Sequence, residues 1–217
     1  MTNLTKRQSY LVNELSQFKF ETVADVGCDH GYVGFALKKL GIAKKVLFCD
    51  ISAPSLEKAK NLCKDEPNCE FYVQDGLGTL FCDCCVIAGM GGREIMSILA
   101  QAQTLPEWLL LQPMKNVKEL RNFLCRNYRL QKDVLIIDKK FYNVILCQRG
   151  NDVLTELEQK FGRDNLKNPS DDFCRYVNIQ IDKFEKIVQN TTDSEVQKEL
   201  SDLYFCKKEI ENAKRNI

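Results

Sequence analysis

Apolar and β-branched runs alternate with segments of helical spacing between about residue 20 and residue 148. We interpret the apolar runs as strands over residues 22–26, 45–49, 70–74, 83–88, 108–111, 133–137 and 142–148. Helical spacing of apolar positions appears in residues 33–39, 55–63, 94–101 and 117–127. This alternation predicts an α/β fold with a largely parallel sheet that helices cover on both faces.

The last two predicted strands are joined only by the short segment from Asp138 to Phe141. A parallel crossover needs a dozen or more residues, so these strands should pair as an antiparallel hairpin. The sheet should therefore have seven strands, with an antiparallel end.

The pattern changes after Gly150. Two series of apolar residues recur at a spacing of three or four, separated by a polar turn at residues 190–193: Phe173, Val177, Ile181, Phe184 and Val188, then Val196, Leu200, Leu203 and Ile210. We expect two domains, an α/β domain over residues 1–150 and a helical hairpin over residues 151–217. The hairpin could stabilise the fold, contribute to a dimer contact or grip a substrate.

Composition narrows the class of protein. The net charge is +1, with +4 in residues 1–150 and −3 in the remainder, so no overall basic field indicates nucleic acid. No run approaches the length of a membrane span, and the N-terminus lacks an apolar signal core. The eleven cysteines are scattered and lack paired metal-ligand spacing. We expect reduced thiols, no metal, no membrane contact and a cytoplasmic location.

Candidate ligand contacts follow three neighbouring strands. Asp25-x-Gly27 ends the first strand, Asp50 the second, and Asp75-Gly76 the third. Glycine lets backbone approach a ligand, and a carboxylate at the end of a second strand can accept both hydroxyls of a ribose. All these features lie at the carboxyl ends of strands, where open α/β sheets bind ligands.

A nicotinamide-binding protein is the main competing interpretation. Its fingerprint places glycines as G-x-G-x-x-G. Here the second and third of those positions are Asp29 and Tyr32. The sequence thus favours a different nucleoside cofactor. A glycine turn that binds no cofactor is the remaining alternative.

The loop after the fourth strand runs Ile87-Ala-Gly-Met-Gly-Gly92. It offers open backbone and few polar side chains, whereas enzymes that methylate exocyclic amines carry Asp or Asn, Pro-Pro and an aromatic residue here. For an enzyme that transfers a methyl group, this loop therefore favours a ring nitrogen with its own lone pair as the methyl acceptor. Beside it, Gln112 could read a base edge, or could cap its strand before the proline turn.

These segments together resemble the bacterial tRNA (adenine-22-N1)-methyltransferases. The matching residues are Asp25-Val-Gly-Cys-Asp-His-Gly-Tyr32, Gln74-Asp-Gly76, Ile87-Ala-Gly-Met-Gly-Gly92 and Leu111-Gln-Pro113, with Arg121, Tyr128 and a weaker Phe161-Gly162. The resemblance implies a Rossmann-like class I methyltransferase with a C-terminal coiled-coil domain. One departure is Met114, where the family usually has Asn.

The resemblance implies methyl transfer from S-adenosylmethionine to N1 of an adenine in the D-arm region of tRNA, by a chain that we expect to be a monomer. On this basis the predicted cofactor contacts are Asp25, Gly27, Asp29, Asp50, Ile51, Asp75, Gly76, Ala88 and Gly89. The predicted substrate contacts are Met90, Gly91, Gln112, Pro113, Arg7, Lys115 and Arg121. Alternatives are a methyltransferase of another RNA or a small molecule, and a cofactor-binding interaction protein without catalysis.

Asp29 and His30 are the candidate catalytic residues. Adenine N1 has a free lone pair at neutral pH, so the enzyme mainly has to align donor and acceptor. A carboxylate such as Asp29 could stabilise the positive charge that develops on the acceptor. Asp29 could equally contact only the cofactor's amino-acid group, and His30 could simply pack beside Tyr32.

Basic residues after the fifth strand could contact tRNA phosphates. They are Lys115, Lys118, Arg121, Arg126 and Arg129, at roughly helical spacing, with Lys6 and Arg7 or Lys207 and Lys208 as further pairs. Each set could also be a solvated helix face. Phosphate contact would make binding depend steeply on salt.

Overall fold

The computed structural model of the chain describes residues 4–215. Its seven strands are β1 Phe20–Val26, β2 Ala43–Asp50, β3 Cys69–Val73, β4 Cys84–Met90, β5 Trp108–Pro113, β6 Tyr128–Asp138 and β7 Lys140–Arg149. Its helices are α1 Lys6–Glu14, α2 Tyr32–Lys39, α3 Ala53–Leu62, α4 Gly92–Gln101, α5 Val117–Leu124, α6 Glu156–Phe161, α7 Arg163–Lys167, α8 Asp171–Val188 and α9 Ser194–Arg215. All seven predicted strands are present, and β6 starts five residues before its predicted position.

The strands form one sheet in the order β3-β2-β1-β4-β5-β7-β6. Strands β1 to β5 pair in parallel, and β7 runs antiparallel to both β5 and β6. The predicted hairpin is confirmed: Asp138 pairs with Lys140, and Lys139 makes the turn in the left-handed region with φ of 61°. This is the seven-stranded α/β sheet with an antiparallel end that the sequence predicted.

Adjacent residues of the central strands point into different cores, as expected for a sheet covered on both faces. In β1, Val23 belongs to the core beneath α1, α2 and α3, and Ala24 to the core beneath α4 and α5. In β2, Phe48 packs in the first of these cores and Cys49 in the second. This double burial explains the nearly continuous apolar runs of the sequence.

Helix α1 was not predicted. Thr5 begins it with a capping box, since its hydroxyl accepts from the Gln8 amide while the Gln8 side chain accepts from the Thr5 amide. Leu11 and Val12 bury its inner face against the sheet. The helix brings the N-terminal segment onto the α/β domain.

Helices α6 to α9, hereafter the helical arm, pack against the edge strand β6. Leu135 of β6 shares a buried cluster with apolar residues of the arm, among them Phe173, Val177 and Leu203. The predicted hairpin corresponds to α8 and α9, whereas the short helices α6 and α7 were not predicted. The predicted domain ranges also include residues 1–3 and 216–217, which lie outside the described residues.

Side chains of the arm and its linker accept hydrogen bonds from backbone amides along β6. The amides of Leu130, Asp133, Leu135 and Ile137 donate to Asp152, Asp164, Asn165 and Asp172, over 2.8 to 3.0 Å. Carboxylate and amide oxygens thus satisfy donors that an edge strand leaves without a strand partner.

A buried arginine joins the arm to the α/β domain. Arg121 of α5 is 0% exposed and forms a bidentate ion pair with Asp133, at 2.7 and 2.8 Å. Its Nη1 donates to the carbonyls of Gln159 and Lys160 at the end of α6, over 3.1 and 3.0 Å. Because the guanidinium is enclosed and engaged, the prediction that Arg121 contacts substrate is wrong in this structure.

All eleven cysteines are free thiols, eight of them buried. Within residues 4–215, no helix has the length and apolar content to cross a membrane. The same residues contain no group of three or more His, Cys, Asp or Glu that could hold a metal ion.

We predict that replacing Arg121 by Met destabilises the chain by about 3–5 kcal/mol, because Asp133 would remain buried without its partner. Urea unfolding measures this change. Arg126→Met, at an exposed position two residues beyond α5, is the matched control and should shift stability by less than about 0.5 kcal/mol. Equal effects of the two substitutions would contradict the role of the buried pair.

Candidate active site

The strand order reverses between β1 and β4, which opens a cleft at the carboxyl ends of the strands. The cleft has a volume of about 440 Å³, within the roughly 300–1,000 Å³ typical of small-molecule sites. Predicted contacts from four strand ends line it together: Gly27, Asp29, Asp50, Ile51, Asp75, Gly76, Ala88, Gly89 and Met90. The sequence therefore located the floor and walls of this cleft.

Gly27 keeps the first strand end open. Its φ of 66° is in the left-handed region, and a Cβ there would lie 1.9 Å from the Cε of Met90. Its amide donates to the carbonyl of Cys49 at the end of β2, over 2.8 Å. A side chain at this position would collide with Met90 and fill the space that a ligand needs.

Asp50 is oriented by two backbone amides. Its Oδ2 accepts from the Asp29 amide at 3.0 Å, and its Oδ1 accepts from the Ser52 amide at 2.8 Å. Each carboxylate oxygen keeps a further lone pair, and the side chain lines the cleft. This arrangement can accept two adjacent hydroxyl groups, as the ribose of a nucleoside presents them.

Asp25 lies behind the cleft rather than in it. It is only 5% exposed, and its Oδ2 accepts from the Gly34 amide of α2 at 2.9 Å. Burial, partly opposed by the hydrogen bond from Gly34, raises the pKa of this carboxyl to about 6. Its carboxylate holds the first turn of α2 and also lines a smaller pocket beside the cleft, and contact of Asp25 with cofactor stays a prediction.

Asp29 and His30 meet beside the cleft. Asp29 has a φ of 48°, and its Oδ2 lies 2.7 Å from the Nδ1 of His30. The His30 ring stacks on Tyr32, with ring centroids 5.5 Å apart and planes 6° from parallel. Both predicted catalytic residues line a side pocket of about 100 Å³ that shares Arg7, Gly27, Asp29 and Ala88 with the cleft. Their catalytic role stays a prediction.

The glycine-rich end of β4 packs against the residues that follow β5, and Met90 and Met114 from these two segments line the mouth of the cleft. The Met114 amide donates to the Met90 carbonyl at 2.8 Å. A Cβ on Gly91 would lie 3.1 Å from the Cε of Lys115, and one on Gly92 would lie 2.5 Å from the Asn116 carbonyl oxygen. The glycines thus let the β5–α5 connection pack close, and Lys115 stays exposed beside the mouth.

Gln112 and Pro113 are buried and do not line the cleft. The Gln112 Oε1 accepts from the Nη1 of Arg7 at 2.8 Å, and its Nε2 donates to the Pro113 carbonyl at 3.2 Å. Direct contact of these two residues with substrate is therefore corrected. Arg7 itself does line the cleft.

Five further residues line the cleft that the sequence did not assign to a site: Val26, Gln74, Glu94, Ile98 and Met114. Val26 and Gln74 lie within the matching motif segments, and Met114 was noted only as a departure. A signal existed for Glu94, whose Oε2 accepts from the Gly91 amide at 3.3 Å, since glutamate three residues after an N-cap is a capping pattern. Ile98 packs against Gly76, where a Cβ would lie 3.0 Å from its Cγ2. That contact depends on tertiary packing.

The residues of the cleft fit a nucleoside with a charged amino-acid group. The Asp50 carboxylate suits ribose hydroxyls, and the exposed Ile51 and the Ile98 side chain offer apolar surface for a planar ring. Carboxylates and the guanidinium of Arg7 offer both signs of charge. Fold and cleft together define a class I methyltransferase architecture.

Comparisons with known proteins agree with this class. A family model described as a methyltransferase domain matches residues 4–146. A candidate tRNA methyltransferase of Mycoplasma pneumoniae is 37% identical over 150 residues, which cover 66% of this chain and 70% of that protein. The chain belongs to the methyltransferase-domain family.

Solved structures show the same fold over almost the whole chain. The structure of a candidate tRNA (m1A22) methyltransferase of Streptococcus pneumoniae superposes with a TM-score of 0.84 at 21% identity, covering 97% of this chain and 99% of that one. The M. capricolum TrmK, in complex with S-adenosyl-homocysteine, gives a TM-score of 0.82 at 22% identity, covering 95% and 99%.

The raised pKa of Asp25 predicts a pH dependence of stability. The unfolded chain releases this proton near pH 3.8 and the native chain near 6. The native state thus binds the proton more tightly, and its stability should fall by up to about 3 kcal/mol as pH rises from about 4 to about 6. Asp25→Asn should lack this component. Urea unfolding of both proteins between pH 4.5 and 7 measures it, and parallel pH profiles would refute it.

Proposed function

We propose that this chain transfers a methyl group from S-adenosylmethionine to N1 of adenine 22 in tRNA. The observation that carries the proposal is the extent of the structural likeness. The methyltransferase family model ends at residue 146, whereas the likeness to the S. pneumoniae protein covers 97% of the chain. A fold shared along this length, including the helical arm of this chain, with a candidate tRNA (m1A22) methyltransferase supports the same target.

S-adenosyl-homocysteine is the demethylated product of the proposed donor, and the M. capricolum structure contains it. When bound, S-adenosylmethionine supplies a methyl group that its sulfonium already activates. In this chain Asp50 would hold the ribose hydroxyls, and Asp75 would accept from the adenine amino group. Gly27 and Gly89 would let the backbone approach the cofactor, and Ile51 would pack on its ring.

The side pocket is the proposed place of the target adenine. It adjoins the cleft through Gly27 and Asp29, so a base held there lies next to the methyl donor. The stacked pair of His30 and Tyr32 offers aromatic surface to a base turned out of tRNA.

Asp29 carries the electrostatic part of the proposed mechanism. Adenine N1 attacks with its own lone pair, and the adenine gains positive charge as the bond forms. The Asp29 carboxylate, exposed at the junction of both cavities, would stabilise that charge. His30 would keep this carboxylate in place through the contact at Nδ1. No strong general base is required, because the proton can leave the amino group afterwards.

The expected product can be tested directly. Incubation with labelled S-adenosylmethionine and unmodified tRNA should give N1-methyladenosine, and a tRNA carrying guanine at position 22 is the matched control that should not be labelled. Nucleoside analysis and mapping of the labelled position measure both. Label on another nucleoside, or equal labelling of the control tRNA, would overturn the proposed target.

Lys115 should contact a tRNA phosphate near the mouth of the cleft. We predict that Lys115→Ala weakens tRNA binding and lowers the slope of log affinity against log salt by about 1. Lys64→Ala is the control, because Lys64 lies on the exposed turn before the edge strand β3, at the amino ends of the parallel strands and away from the cleft. Filter binding across salt concentrations measures the slopes. An unchanged slope for Lys115→Ala would remove this residue from the tRNA surface.

A further inference from the structure

Two of the eleven cysteines lie at the ends of one short turn. Cys63 is the C-cap residue of α3, and Cys69 is the first residue of β3. The Cys63 carbonyl accepts from the Glu66 amide at 2.8 Å, and the Asn68 carbonyl accepts from the Val46 amide of β2 at 3.0 Å. These bonds return the chain from α3 to the sheet, so both cysteines come to the same edge of the core.

The two side chains meet at this edge. The thiols of Cys63 and Cys69 are hydrogen-bonded to each other. Cys63 belongs to the core beneath α1, α2 and α3 and is only 3% exposed, whereas Cys69 packs against that core from a half-buried position. One thiol of the pair is therefore enclosed, and the other is accessible from solvent.

The surroundings of the pair favour a thiolate on Cys69. The hydrogen bond from Cys63 and the nearby ammonium of Lys38 lower the pKa of the Cys69 thiol, although burial opposes them. The same hydrogen bond and burial raise the pKa of the Cys63 thiol. The Glu66 charge opposes a thiolate here, but Lys39 pairs with it at 2.6 Å. Because the thiolate is the reactive form of cysteine, Cys69 is the nucleophile of the pair.

We propose that Cys63 and Cys69 form a redox site, which a small disulfide of the glutathione type converts to an intramolecular disulfide. The Cys69 thiolate attacks one sulfur of oxidised glutathione, and one glutathione leaves as its thiolate. Cys63 then attacks the Cys69 sulfur of this mixed disulfide, and its proton passes to the second glutathione as that leaves. The two cysteines are oxidised by two electrons, and oxidised glutathione is reduced to two glutathione molecules.

The short turn favours the second step. Residues 63–69 form a loop of seven residues when the bond closes, and a loop this short costs little entropy to close. The turn precedes β3, at the amino ends of the parallel strands, whereas the cleft lies at their carboxyl ends. Oxidation should therefore leave the cleft unchanged, and the redox site is independent of the methyl transfer proposed above.

Oxidation of the full chain by oxidised glutathione tests the site. Thiol titration of the denatured protein should count all eleven cysteines before treatment and two fewer after it. Mass spectrometry of proteolytic fragments should place the new bond between Cys63 and Cys69, and dithiothreitol should restore the original count. Before oxidation, iodoacetamide should alkylate Cys69 roughly 10-fold faster than Cys125, another half-buried cysteine.

Three variants separate the roles of the two thiols. Cys63→Ser should stop at a stable adduct of glutathione on Cys69, because the thiol that resolves the mixed disulfide is missing. Cys69→Ser should give neither a disulfide nor an adduct, because the remaining thiol of the pair is buried. Cys125→Ser is the matched control and should still form the Cys63–Cys69 bond.

Each contrary outcome overturns a defined part of the proposal. A bond between other cysteines in the wild-type protein, or no loss of thiols, would overturn the redox site, and this result does not depend on the folding of any variant. An adduct on Cys63 in Cys69→Ser would overturn the assigned order of attack. Reduced and oxidised protein should bind S-adenosyl-homocysteine with affinities within about 2-fold, as expected for distant sites. A larger difference would overturn the separation of the redox site from the cleft.

Discussion

The site depends on one topological constraint, the reversal of strand order between β1 and β4. Because β2 and β4 flank β1 on opposite sides, the connections that leave β1 and β4 diverge to opposite faces of the sheet. The backbone at Gly27 and Gly89 is thereby left facing an open crevice. Every other part of the site, from the Asp50 carboxylate to the guanidinium of Arg7, is arranged around the edges of this crevice.

The fold could be predicted because parallel strands buried on both faces leave a strong apolar signal, and because a connection as short as Asp138 to Phe141 permits only a hairpin. The motifs indicated a methyltransferase, and membership of the methyltransferase-domain family is confirmed. Residues that line the cleft next to strand ends, such as Asp50 and Gly76, could be placed because the carboxyl ends of the parallel strands meet at the same edge of the sheet.

The errors concern side chains whose surroundings come from distant parts of the sequence. Arg121 has the spacing of a surface cation, but Asp133 and the end of α6 enclose it. For Asp25 the motif gives a position at the end of β1, but it does not show that the Gly34 amide donates to its carboxylate. Local pattern gives residue type and order along the chain. It does not give the partner that tertiary packing supplies.

Arg7 and Gln112 show the same limit, because their contact joins residues that are far apart in sequence. Both were assigned to substrate separately, and the structure shows them in one contact, with one residue buried and the other in the cleft. A residue 105 positions away in sequence thus determines where the guanidinium of α1 lies. Helix α1 precedes the sheet in sequence and still contributes to the site at its centre.

The hydrogen bonds along β6 have a consequence for the behaviour of the chain among other chains. An edge strand with free amides is a template onto which another molecule can add a strand, and such addition leads to aggregation. Here Asp152, Asp164, Asn165 and Asp172 occupy four of those amides, and each is a side chain that cannot continue a sheet. The linker and the helical arm therefore protect β6 from pairing with a strand of another molecule. A chain truncated after β7 would lose this protection together with the arm.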